Sequence, residues 1–229
     1  MSDKNHISKN ELANNVASSN QLNGNPNVSY EGHDGGLKVL FVGNSITRHG
    51  YRADIGWYGD WGLAASSKDK DYVHRTIAKL EAKYGSLHVC IAQGSDWERG
   101  YENTEAVLNE KYSEVRDFRA DIVIIRIGEN MPKGSAPACK PQFAEMIRFF
   151  ASNENAKVIV TDSFWRNDPR DGMIKEIAEE NGYVFCHICD LELDEANMAI
   201  GQFEHKGVAH HPSDLGMDRI ADRIVESIG

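Results

Sequence analysis

The sequence predicts an α/β fold: a three-layer α/β/α sandwich around a five-stranded parallel sheet in flavodoxin-like order. Three observations predict it. Short apolar runs rich in β-branched residues alternate with stretches of helical period, so strands and helices take turns along the chain. The runs are apolar on both faces, as strands covered by helices on both sides must be. And 229 residues, 41% of them hydrophobic and 26% charged, can bury one substantial core and fit one α/β domain better than two.

Taken in order, residues 1–36 stand apart. Eight Asn lie between Asn5 and Asn27 with few large apolar residues among them. Such a segment buries too little to offset its ordering entropy and is expected to be a flexible tail, with one domain spanning 37–229. The first strand is LKVLFVG (37–43) and the second LHVCIA (87–92), with the stripe Val73, Ile77, Leu80 and Tyr84 predicting a helix between them. Leu108, Tyr112 and Val115 mark the next helix, before the strand DIVIIRI (121–127). Phe143, Met146, Ile147 and Phe150 precede KVIVTD (157–162), and Met173, Ile174, Ile177 and Ala178 precede YVFCHI (183–188). Met217, Ile220, Ala221, Ile224 and Ile228 close the chain with an amphipathic helix. Right-handed crossovers then distribute the helices over both faces of the sheet.

Charge and composition exclude several functions. The formal net charge is −10, and Lys and Arg are scattered among acids, so no basic patch offers itself to nucleic acid or to an anionic membrane surface. No window has the ~18–20 apolar residues of a membrane span, and MSDKNHISKN lacks the apolar core of a signal peptide. A cytoplasmic location is therefore expected, with an exported full-length form left open. There is no G-x-G-x-x-G after a strand and no Walker A sequence, which argues against a nucleotide or flavin. Cys186 and Cys189 form a C-x-x-C, but Cys90 and Cys139 supply no second ligand pair, so all four are expected to be core thiols and no metal site is expected.

In an open parallel sheet, ligands bind beyond the carboxyl ends of the strands. After the first strand comes Gly43-Asn44-Ser45-Ile46-Thr47, where a serine on a tight turn is either an exposed nucleophile or the N-cap of a helix. After the third comes Gly128-Glu129-Asn130, whose Asn either presents an amide N–H to an oxyanion or simply closes a turn. Before the last helix comes His210-His211-Pro212, either a surface pair or the source of a general base.

GNSIT, G-x-N and His-Pro stand in the order and spacing of the SGNH/GDSL hydrolases, a family this chain resembles over essentially residues 37–229. The resemblance implies the SGNH hydrolase fold, Ser45 as nucleophile and His211 as base, with His210 the lesser candidate. It also implies an oxyanion hole made of the Ser45 N–H, a glycine after the second strand and Asn130. Gly94 in QGSDWERG is the best match to that glycine, with Gly62 as the alternative. The family's usual Asp three residues before the catalytic His is replaced by Val208. A backbone carbonyl can hold the imidazole instead, as in Ser-His dyad esterases resembling this family, and Glu204 and Asp190 are the candidate substitute acids. Trp57 and Trp61 in the aromatic segment after Ser45, together with Trp97, are candidates for substrate contact, against the plain alternative that such rings plug a loop onto the fold. GDWG followed by small residues resembles a subgroup associated with carbohydrate deacetylation.

These resemblances imply a serine esterase that removes short acyl groups, most of all O-acetyl from carbohydrate, through an acyl-serine and with no cofactor or metal. A short-chain lipase, thioesterase or arylesterase is the rival within enzymes, and a catalytically weak carbohydrate-binding protein of the same fold the rival outside them. The expected partner is a small-molecule or saccharide ester. The sequence carries no sign of oligomeric state.

Overall fold

The computed structural model describes residues 25–229. Six strands form one sheet in the order β1-β3-β2-β4-β5-β6. They are β1 (Val28–Gly32), β2 (Leu37–Gly43), β3 (Leu87–Gln93), β4 (Ile122–Arg126), β5 (Lys157–Thr161) and β6 (Val184–Cys186). The five strands from β2 onward are mutually parallel, and their order is the flavodoxin-like one.

The sixth strand corrects the reading of residues 1–36 as a tail. Val28–Gly32 runs antiparallel to β3, from Val28 opposite Ala92 to Gly32 opposite His88. It covers what would otherwise be an open sheet edge. The segment VSYEG is short, half-exposed and flanked by Asn and Gly, so its strand signal is faint. The rest of the expected tail, residues 1–24, lies outside the described residues.

Period-two alternation along the strands sorts the core into two layers. Leu40, Val42, Cys90, Ala92, Val123, Ile125, Val158 and Val160 face one side. There they pack against α3 (Thr104–Phe118), α4 (Lys140–Phe150) and α5 (Asp168–Asn181) through Leu108, Tyr112, Phe143, Met146, Met173 and Ile177. Val39, Phe41, Val89, Ile91, Ile124 and Ile159 face the other side, against α1 (Tyr72–Tyr84) and α7 (Asp214–Ile228). Short helices α2 (Ser95–Gly100) and α6 (Lys206–Ala209) complete the chain. Side-chain caps start three of the five longer helices: Asp71 accepts from His74 N, Asn167 from Arg170 N and Ser213 from Gly216 N. All four cysteines are buried free thiols. Among the described residues no helix is long and apolar enough to cross a membrane.

Candidate active site

Strand β2 ends at Gly43, where the chain turns out of the sheet. A Cβ there would stand 1.8 Å from Thr47 Oγ1 and 2.7 Å from the Arg126 carbonyl oxygen, so glycine is the residue that lets the turn close against β4. Two bonds to the Asn44 carbonyl, from Thr47 N at 2.9 Å and Arg48 N at 3.0 Å, tighten that turn. Ser45 emerges on it, partly exposed, beyond the carboxyl end of the sheet.

The loop entering α7 reaches the same point. His211 Nε2 lies 3.0 Å from Ser45 Oγ, and His211 Nδ1 lies 2.7 Å from the Gly207 carbonyl oxygen. A carbonyl can only accept, so Nδ1 carries the ring proton and Nε2 is left to accept from the Ser45 hydroxyl. Ala199 N donates to the His211 carbonyl at 2.9 Å and Ser213 N to the Asn197 carbonyl at 2.8 Å, pinning the backbone on both sides of the ring. Burial lowers the His211 pKa to about 4, even though the bond to Gly207 works in the opposite direction; the Arg126 charge adds to the lowering.

Neither candidate acid takes part in this arrangement. Asp190 pairs with the Arg223 guanidinium, and Glu204 is exposed with no hydrogen bond among the described residues. The Gly207 carbonyl occupies the third place. The site where the resemblance puts an acid holds Val208, fully buried against Trp57, Leu63, Ala64 and Ala199.

Asn130 is exposed at the end of β4, and its side chain is aimed by an unexpected residue. Glu98 Oε2 accepts from Asn130 Nδ2 at 2.6 Å, leaving the second N–H of that amide for a substrate oxygen. Glu98 Oε1 accepts from Gly128 N at 2.8 Å, Asn130 N at 3.0 Å and Asn44 Nδ2 at 3.1 Å. Gly128 has φ +133°, a conformation closed to L side chains, which explains the glycine of G-x-N. Beneath it, Arg126 bonds Glu129 at 2.7 Å and the Asn44 side chain, and Asn44 Nδ2 reaches Glu129 at 2.6 Å. Burial and the neighbouring Glu129 push the Glu98 carboxyl above the usual carboxylate range. Burial also disfavours the Glu129 carboxylate, but Arg126 outweighs it and holds Glu129 below that range.

The glycine donor is a correction. Gly94 N donates to the Gly43 carbonyl at 2.6 Å, and Gly62 N to Asp71 Oδ2 at 2.9 Å, so both amides are committed to the protein. Ser45 N–H has no protein acceptor among the described residues.

The tryptophans divide. Trp97 is fully buried, edge-on to Phe143 at 5.3 Å, with Nε1 bonded to Thr104 Oγ1. Trp57 is buried too, with Nε1 bonded to the His49 carbonyl, and Trp61 is half-buried edge-on to it. These rings anchor the loop rather than face a ligand. The ring that does meet the site is Trp165, edge-on to His211 at 4.9 Å with Nε1 donating to the His210 carbonyl at 3.1 Å. The sequence reading does not single it out, because it sits in a loop without periodicity. Tyr51 and Tyr58, on the loop that Trp57 anchors, are 65% and 71% exposed with ring centroids 5.6 Å apart.

No family model and no curated protein sequence matches the chain. Solved structures do. LAE5, described as an α/β hydrolase enzyme from the metagenome of Lake Arreo, Spain, superposes with a TM-score of 0.55 at 18% identity, over 84% of this chain and 94% of its own. A protein of Bacteroides uniformis assigned as a GDSL-like lipase gives 0.54 at 15% identity, over 85% and 96%. The chain has the fold of the GDSL-like hydrolases. On that GDSL-like scaffold it also superposes with a two-domain esterase active on acetylated mannans, with a TM-score of 0.52 at 17% identity. That match covers 84% of this chain and 48% of the esterase.

Proposed function

We propose that the protein is a serine ester hydrolase that removes short acyl groups, with O-acetyl esters on carbohydrate as the preferred substrates. The observation that carries the reading is the relay Ser45 Oγ, His211 and Gly207 carbonyl, at 3.0 and 2.7 Å, beyond the carboxyl edge of the sheet.

In the first half-reaction His211 Nε2 takes the Ser45 proton as Oγ bonds the ester carbonyl carbon, and the carbonyl electron pair moves onto oxygen. The Ser45 N–H and the free Asn130 N–H stabilise that oxyanion. Collapse breaks the bond to the alkoxy oxygen, which leaves with the proton held on His211. Water then attacks the acyl-serine, giving its proton to His211, and the acid departs as Ser45 recovers its hydrogen. Gly207 holds the tautomer throughout, in the place where a carboxylate usually stands.

The exposed Tyr51 and Tyr58 faces support a saccharide substrate, since aromatic planes stack on the apolar faces of sugar rings. The test is acetate release from acetylated saccharides, with p-nitrophenyl acetate as the small reference ester. Ser45→Ala should lower kcat by about 10³-fold or more and abolish fluorophosphonate labelling. Tyr51→Ala with Tyr58→Ala should raise KM for the saccharide while leaving p-nitrophenyl acetate unchanged. A Ser45→Ala protein that hydrolyses p-nitrophenyl acetate at the wild-type rate would sink the reading.

A further inference from the structure

A second cluster of reactive side chains lies two to three strands away from Ser45 along the sheet, at the carboxyl ends of β5 and β6. Asp162 directly follows β5, and His187 and Cys189 follow β6. Asp162 Oδ1 accepts from the amides of Ile188 at 2.6 Å and Cys189 at 3.0 Å, which orients the carboxyl and turns Oδ2 onto His187 Nδ1 at 2.6 Å. Cys189 Sγ stands 4.0 Å from the same nitrogen, and one donor atom from each of the three residues falls within 4.8 Å of the others.

We propose that Asp162, His187 and Cys189 form a binding site for a thiophilic divalent cation, Zn²⁺ above all. The separations fit the ion. A point equidistant from three atoms so placed lies about 2.0–2.4 Å from each, the range of Zn–N, Zn–O and Zn–S bonds. One nitrogen, one sulfur and one carboxylate oxygen are the donors zinc takes, whereas Mg²⁺ and Ca²⁺ want oxygen throughout. The surroundings fit as well. His187 Nε2, the ring nitrogen turned away from the cluster, lies 3.5 Å from Asp190 Oδ1, and Arg223 fixes Asp190 in turn, so a carboxylate backs the imidazole as it does in many zinc sites.

Asp162 and Cys189 are nearly buried, while the His187 side chain is 55% exposed and lets an ion enter. All three residues line a cleft of about 560 Å³ together with Arg166 and Lys175. A fourth coordination position facing that cleft takes water or a small anion. The C-x-x-C thus contributes one thiol and the histidine within it: Cys186 points into the core against α7, and only Asp162 comes from a distant part of the sequence.

The experiment titrates the chelator-treated full chain with Co²⁺, followed by thiolate-to-cobalt charge-transfer absorbance, and then displaces it with Zn²⁺. One equivalent per chain is expected, with the band lost in Cys189→Ser and affinity at least tenfold weaker in His187→Asn. The half-exposed His187 position tolerates that change, and circular dichroism checks both variants. Absence of stoichiometric Co²⁺ or Zn²⁺ binding overturns the proposal, as does binding that both variants leave unchanged.

Discussion

His211 donates its Nδ1 proton to a neutral carbonyl, so no carboxylate hydrogen-bonds the imidazolium that would form on protonation, and the Glu129 charge raises the pKa only in part. Burial then dominates and takes its pKa to about 4. The imidazole is neutral above that value and protonated below it. The acid limb of kcat/KM should therefore fall well below the ordinary histidine value of about 6.5, leaving activity flat between pH 5.5 and 7.5. Rates on p-nitrophenyl acetate check this, with circular dichroism confirming the fold at each pH; an inflection near 6.5 would contradict it. Asn130 is the other residue that can be tested alone. Its side chain is exposed but also donates to the buried Glu98 Oε2, so Asn130→Ala should lower kcat by about 10²–10³-fold while lowering stability by only about 1–3 kcal/mol. Equal loss of kcat and stability would assign Asn130 to the scaffold instead.

At the level of elements, α6 shows how a missing acid is accommodated. Its Val208 joins Trp57, Leu63 and Ala199 in a small apolar cluster that ties the loop after Ser45 to the loop carrying His211. An acid at this position would place a carboxyl among apolar side chains. Val208→Asp should therefore destabilise the protein by about 3 kcal/mol or more, read from the urea midpoint, and should not raise kcat. A gain in activity would show that the carboxyl reaches His211 after all.

At the level of the whole molecule, β1 is fastened by charge as well as by its ladder. Glu31 in β1 and Asp71 at the start of α1 both hydrogen-bond His74, whose ring bridges the sheet edge and the helix. Burial alone would lower the His74 pKa, but these two carboxylates outweigh it and raise it to about 9. The bond to His74 takes Glu31 down to about 2. For a raised histidine, the stabilisation is complete below about 6.5 and is lost as pH climbs towards 9. For the lowered Glu31 it is complete above about 4.5 and is lost as pH falls towards 2. Melting temperature should decline from pH 6.5 to 9, and His74→Gln should flatten that decline. An unchanged slope in the variant would place the effect elsewhere.

The parallel strands and the amphipathic helices were legible because burial imposes a period on sequence, whether alternation in strands or 3.6 residues in helices. The segments that carry Ser45, Asn130 and His211 were legible for a related reason, since each follows a strand or precedes a helix whose position the pattern fixes, while the choice of residue within them came from the resemblance to the SGNH/GDSL hydrolases. The edge strand β1 was not, because a half-exposed strand of five residues carries almost no period. Nor were the Gly207 carbonyl, Glu98, Trp165 and the Asp162–His187–Cys189 cluster, whose partners meet across long stretches of chain or through a backbone atom that every residue carries. Trp57 and Trp97 went the other way, from expected ligand contacts to packing. By itself the sequence determined the layers and the three segments that meet at the site. Tertiary structure alone decided which group holds the imidazole, which amides stay free and which rings face out, because each depends on hydrogen-bond partners and burial that distant segments supply.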